Sequence, residues 1–347
     1  MNITLNDFFP NSNTGLSQIG FLFGAGSSFA AGYPLTKELT ISVLEELNPK
    51  EIKLIESILK EEQEDFDKSK GIPDIELLSD LLNKARITGA YSGVELLIDS
   101  IRKNIVDVIN KIDNPNLKYH IKFLKGIKDL MKYRNESIWI FTTNYDMIFE
   151  LAAAIVKIPI CNGFEGIAER FYDVERFNIV SGKINTNCTF EPLKEPCIKL
   201  VKLHGSISWF ENGNEIMESF SKERVDKRCM ILPKRSKVIE TLESPYDSLF
   251  RYASSIIGRH CKYIVTCGYS YRDDHINNIL FTTKLKSNSL RVFALSKEET
   301  PEMLNFKEYY PFNYMTENKL HYNGNDFEGN YDLWDFKMFV ELFNSKL

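Results

Sequence analysis

The run Ile19-Gly20-Phe21-Leu22-Phe23 passes without a break into Gly24-Ala25-Gly26-Ser27-Ser28-Phe29-Ala30-Ala31-Gly32-Tyr33-Pro34. A short apolar run followed at once by small residues predicts a buried strand that enters a tight turn. The same succession recurs downstream. Ser137-Ile138-Trp139-Ile140-Phe141 leads to Thr142-Thr143-Asn144-Tyr145-Asp146, residues 198–203 lead to His204-Gly205-Ser206, and Tyr263-Ile264-Val265-Thr266-Cys267 leads to Gly268-Tyr269-Ser270. Residues 290–295 predict one more strand. Helical spacing lies between these runs, over about 117–133, up to 156, 246–259 and 274–286. Buried strands alternating with helices predict an α/β fold on a mostly parallel, doubly wound sheet, with ligands beyond the carboxyl ends of the strands.

Two stretches interrupt the pattern. From 37 to about 113 the spacing is helical, as in Leu39, Val43 and Leu47, or Val94, Leu97, Ile101 and Ile105. From 159 to about 244 the segments are shorter, strand-like and broken by Gly, Asn and Pro. The expected organisation is one domain over residues 1–300, with a helical insertion at about 37–133 and a strand-rich insertion at about 159–244. An aromatic-rich C-terminal cap with a terminal helix, over 301–347, follows.

The chain has 347 residues, 43% of them hydrophobic, and 43 Lys+Arg against 48 Asp+Glu, a net charge of −5. That composition describes a globular protein and gives no overall electrostatic footprint for nucleic acid or an anionic membrane. No apolar stretch approaches the ~20 residues that cross a bilayer, and residues 1–10 carry no signal-peptide pattern, so a cytoplasmic protein is expected. The cysteines at 161, 188, 197, 229, 261 and 267 form no C-x-x-C pair. They read as reduced thiols, with no zinc module. Arg224, Lys227, Arg228, Lys234, Arg235 and Lys237 form a local basic cluster that reads as a solvated face.

Gly24-Ala25-Gly26 lets the backbone turn sharply, and either approaches a pyrophosphate at a helix start or marks no more than the turn. Asn144 and Asp146 are placed to orient a sugar hydroxyl, a water or a carboxamide, or else to cap the helix that follows. His204 stands at a strand terminus, where an imidazole can exchange protons near neutrality. His275, after Asp273-Asp274, fits either a helix cap or a nucleotide contact. His120, His260 and His321 have no such setting, and the scatter of histidines disfavours a metal site.

The four strand-end segments, in this order, resemble the sirtuin-like, or silent information regulator, family. The resemblance implies a Rossmann-like fold without the zinc module of the deacetylases. It implies that the chain binds NAD as a substrate, with Gly24, Ala25, Gly26 and Ser28 around the pyrophosphate and Gly268, Ser270 and Ser296 on the adenosine side. It also implies Asn144 and His204 as catalytic residues, and Asp146 as the group that holds the nicotinamide carboxamide. Leu35-Thr36 stands where deacetylases carry an Asp-Phe-Arg run. The segment Gly268-Tyr-Ser-Tyr-Arg-Asp-Asp-His275 is more similar to bacterial anti-phage defence members that hydrolyse NAD, some beside HerA-like ATPases. The expected activity is hydrolysis of NAD+ to ADP-ribose and nicotinamide by a homo-oligomer. The alternatives are an NAD-dependent protein deacylase, a non-catalytic NAD- or ADP-ribose-sensing subunit and a dehydrogenase with Glu45 as its ribose partner.

Overall fold

The computed structural model describes residues 3–8, 18–131, 137–192, 197–213, 215–220, 228–232 and 245–343. Of the basic cluster only Arg228 falls within them, and Cys229 is placed in the same short strand.

Nine strands form the main sheet: β1 (Ile19–Phe23), β2 (Ser137–Thr142), β3 (Ile160–Cys161), β4 (Cys197–Lys202), β5 (Tyr263–Cys267), β6 (Arg291–Leu295), β7 (Phe312–Met315), β8 (Lys319–Tyr322) and β9 (Asn325–Glu328). Their spatial order is β9-β8-β7-β6-β5-β1-β2-β4-β3. The pairings from β3 across to β7 are all parallel, and β8 and β9 add an antiparallel edge. The order runs outward in both directions from β1, so the sheet is doubly wound and Rossmann-like.

The central strands are apolar because both faces are covered. In β1, Phe21 and Phe23 join Ile138, Ile140, Leu200 and Val265 in one core, whereas Leu22 joins Phe141, Val201 and Ile264 in the other. This is the two-residue alternation of a strand.

Four helices occupy the first interruption: α1 (Thr36–Glu45), α2 (Pro49–Glu61), α3 (Ile75–Thr88) and α4 (Val94–Asn110). Their apolar stripes meet each other, with Val43, Leu44, Ile55, Leu78 and Ile101 in a third core. Asn48 starts α2 through a capping box with Glu51, with Pro49 at the first turn. The acidic stretch that follows is a turn: the Asp67 carboxylate accepts from the backbone N–H of Ser69 and Lys70. Helix α5 (Lys118–Leu130) packs instead under the main sheet, its Phe123 against Phe21 and Phe23. Helices α6 (Ile148–Val156) and α7 (Tyr246–Ile256) cover opposite faces.

The second interruption contributes β3 and β4 to the main sheet and also holds a two-stranded ribbon at 182–184 and 190–192 and an antiparallel five-stranded sheet made by 164–165, 170–172, 205–212, 215–218 and 228–230. Its longest strand begins at Gly205, one residue after His204, so that histidine stands where the chain leaves one sheet for the other. Gly205 makes the corner at φ +83°. The tail does more than cap: β7, β8 and β9 extend the main sheet. The helical residues 336–343 then return beneath it, with Phe336, Phe339 and Phe343 in the core of α5.

Candidate functional site

The direction of winding reverses between β1 and β5, and the loops that follow these strands must separate or touch. Here they touch. Gly24 N–H donates to the Cys267 carbonyl and Gly26 N–H to the Gly268 carbonyl. A Cβ on Gly24 would lie 2.4 Å from the Gly268 oxygen, and one on Gly26 would lie 2.7 Å from the Gly268 Cα. Gly268 itself, at φ +66°, would place a Cβ 2.6 Å from the Gly26 Cα. These glycines are therefore required by backbone-to-backbone packing, and the N–H groups of Gly24 and Gly26 are used within the protein.

The loop after β2 closes on the same place. Asn144 Nδ2 donates to the Gly24 carbonyl at 2.9 Å and to Ser28 Oγ at 2.7 Å, while Ser28 donates to Asp146 Oδ2 at 2.6 Å. The acceptor at Gly24 fixes which end of the amide faces it. Asp146 Oδ1 accepts from Ile148 N–H at 3.0 Å, so Asp146 also caps α6. Asp146 thus bonds the start of the helix and also lines the cavity described below.

His204 Nε2 lies 3.0 Å from Asp273 Oδ2, and both residues are buried. A carboxylate only accepts, so Nε2 carries the proton and, in the neutral ring, Nδ1 is an acceptor. Asp273 Oδ1 accepts from the N–H groups of His275 and Ile276, which ties the dyad to a helix start. The connecting loop is held under strain: Tyr271 is fully buried at φ +61°, a conformation that costs a residue with a side chain ~1–2 kcal/mol. Its hydroxyl shares a hydrogen bond with Thr266, and its carbonyl accepts from Asn277 Nδ2 at 2.5 Å. Asn277 opens a π-helical turn over Asn277–Thr282. Asp273 is the functional candidate that the sequence reading passed over. Its signal in the sequence is Asp273-Asp274-His275, in which an aspartate at a helix start is accounted for by capping. His275 packs edge-on against Phe250 at 4.6 Å and does not line the cavity.

Beneath Asp146 lies a buried cation. Lys202, 2% exposed, donates to the Asp146 carbonyl at 2.5 Å and to Ser206 Oγ at 2.9 Å, and pairs with Glu150 at 2.7 Å. Burial pushes the Glu150 carboxyl above its usual range, and Lys202 opposes that shift. Ser208 Oγ lies 2.9 Å from Ser206 Oγ and donates to Glu218, which pairs with Arg170. The Tyr33 hydroxyl is raised well above the ordinary phenol value, first by burial and then by the charges of Asp146 and Glu150.

These loops enclose a cavity of about 480 Å³, within the range of small-molecule and cofactor sites. Gly24, Ala25, Gly26 and Ser28 line it from the loop after β1, and Asn144 and Asp146 from the loop after β2. His204, Gly268, Ser270 and Ser296 complete the wall, so all ten candidate residues face one space. Lys37, Arg272 and Lys297 also line it, three cations of the kind that pair with phosphates. Glu45 ends α1 exposed and outside the cavity. Among the described residues no group of three or more His, Cys, Asp or Glu side chains is arranged to hold a metal, and no helix is long and apolar enough to cross a membrane.

A crevice at the switch point of a doubly wound sheet is where α/β proteins of Rossmann-like class bind their ligands, and this fold is of that class. Residues 139–315, about half of the chain, match the SIR2-like domain, and the chain belongs to that family, whose members are NAD-dependent enzymes. The match takes in the loops bearing Asn144, His204 and Gly268, and begins after the glycine loop at Gly24. No curated protein matches the chain.

Proposed function

We propose that the protein is an NAD+ hydrolase that cleaves the bond between nicotinamide and ribose. The observation that carries this reading is the convergence of Asn144, Asp146 and His204 with the loops of Gly24 and Gly268 on one dinucleotide-sized cavity. Nicotinamide leaves as a neutral molecule when its bond to C1′ breaks, and positive charge develops on the ribose. The enzyme's task is to orient the ribose, exclude bulk water and admit one water to C1′. Asn144, locked through Nδ2 to Gly24 and Ser28, presents its amide oxygen to that water or to a ribose hydroxyl. Asp146 orients the carboxamide. His204, with Nε2 held by Asp273, accepts through Nδ1 the proton that the attacking water releases. ADP-ribose, nicotinamide and one proton are the products.

Depletion of NAD by such an enzyme fits a role in anti-phage defence, as a homo-oligomer with a HerA-like ATPase as partner. The similarity of the 268–275 segment to defence members supports this role. The test is nicotinamide release from NAD by the purified full chain, with and without the ATPase and with and without an acyl-lysine peptide. Release without peptide, reduced on the order of 10²-fold or more in Asn144→Ala and His204→Ala, supports the reading. An absolute requirement for the peptide replaces it with a deacylase. NAD binding without turnover in any arm replaces it with a sensor. Turnover unchanged in both variants removes the site assignment.

A further inference from the structure

A second cavity, of about 350 Å³, opens at the opposite, amino-terminal end of the parallel strands, between the starts of β2, β3 and β4 and the strand-rich insertion. Three cations line it, Arg170, Arg176 and Lys199, against the single carboxylate of Glu165. Arg170 is taken up by the buried Glu218 and by the oxygens of Asn162 and Phe164. Arg176 lies 3.3 Å from both Glu165 and Asp173, yet its buried Nε makes no hydrogen bond among the described residues. Lys199 differs again. It is 6% exposed, and the Ile179 carbonyl at 3.2 Å is its acceptor. Among the described residues no carboxylate lies within ion-pair distance of it.

Position 199 is one at which a strand calls for an apolar residue: Val201, next on the same face, is fully buried in the core. Keeping a buried ammonium there without a counter-charge costs free energy unless something supplies one. The remaining wall is mixed, with Ser137 and Ser181 beside an apolar side made by Pro159, Ile160, Cys161 and Phe164, and Ile179 and Val180 stand half exposed at its edge.

We propose that this cavity binds a small organic anion, a carboxylate or phosphate ester with an apolar body, with Lys199 as its anchor and Arg176 as a second contact. A bare ion would leave the apolar side made by Ile160 and Phe164 unused, and an uncharged molecule would leave Lys199 uncompensated.

The experiment titrates phenyl phosphate, benzoate and the uncharged analogue benzyl alcohol into the full chain, followed by calorimetry, with the two anions separating phosphate from carboxylate recognition. At least one anion is expected to bind tenfold or more tightly than benzyl alcohol. Lys199→Met is expected to lose about tenfold in that affinity, one charge-assisted hydrogen bond, and Lys199→Arg to retain most of it. Saturating NAD is expected to leave the anion in place. A footprint on the unaltered chain does not depend on the variants: the bound anion slows alkylation of Cys161 and Cys197, which line the cavity, relative to the exposed Cys188. Equal binding of benzyl alcohol, equal binding by a folded Lys199→Met, displacement by NAD or an unprotected thiol pair would each overturn the proposal. None of these outcomes depends on whether NAD is hydrolysed.

Discussion

Lys202 and Lys199 lie three residues apart on one strand, both buried, at opposite ends and on opposite faces of the sheet's central layer. At the carboxyl end Lys202 has a carboxylate, a hydroxyl and a carbonyl within 2.9 Å. At the amino end Lys199 has one carbonyl and a cavity. Two of the three histidines buried among the described residues divide in the same way. His204 is held by Asp273, whereas His120 lies among Phe149 and Phe336 with neither ring nitrogen hydrogen-bonded among the described residues, and burial drives it down to about 3. A basic group taken out of water is paired, waits for a ligand, or gives up its proton, and the three solutions mark three different roles.

The largest expected effect tests the paired histidine. Asp273→Asn keeps the side-chain shape but removes the charge that selects the Nε2 tautomer, and turnover should fall on the order of 10²-fold or more with little change in melting temperature. Retained kcat would separate the dyad from the chemistry. Next comes the contrast between the lysines. Lys202→Met strands Glu150 and should cost about 3–5 kcal/mol in urea unfolding, whereas Lys199→Met should stay within about 1 kcal/mol of the parent or exceed it. Equal losses would break the comparison.

Gly26→Ala drives a methyl into the Gly268 backbone and should cost about 3 kcal/mol, with NAD binding lost alongside stability. Gly32→Ala is the control for positive φ without collision, because nothing lies within 4 Å of its added Cβ. The smallest effect is the pH dependence carried by His120. Its folded value, about 3, lies below the unfolded value of about 6.5, so the unfolded chain binds the extra proton between them. Stability from this residue is complete above about pH 6.5 and is lost as pH falls toward 3, by roughly 2 kcal/mol at pH 5. His120→Leu should remove that part of the difference between urea midpoints at pH 7 and pH 5.

The sheet could be read in advance because buried parallel strands are short apolar runs that end abruptly, and the loops at those ends carry Gly24, Asn144, His204 and Gly268. Order along the chain was enough to place them together, since the carboxyl ends of parallel strands share one side. Asp273 was harder to find because an aspartate at a helix start is explained by capping alone, and here it caps and holds His204 at once. The reason for the glycines was also out of reach: a collision between loops 244 residues apart leaves no local trace. The amino-end cavity has no motif at all, since Cys161, Arg176 and Lys199 meet only through the fold of the insertion. The edge strands β8 and β9 were missed for a related reason: their exposed outer residues break the apolar run, leaving an aromatic tail with no clear period.

The contact between Gly24, Gly26 and Gly268 has a consequence for how this crevice can change over evolutionary time. Its width is set by missing methyl groups, so neither salt nor acidity can tune it. A side chain gained on one loop is tolerated only after the facing loop has moved. The three positions are therefore expected to drift together or not at all, and specificity to diversify at lining side chains such as Lys37 and Arg272, which take no part in that contact.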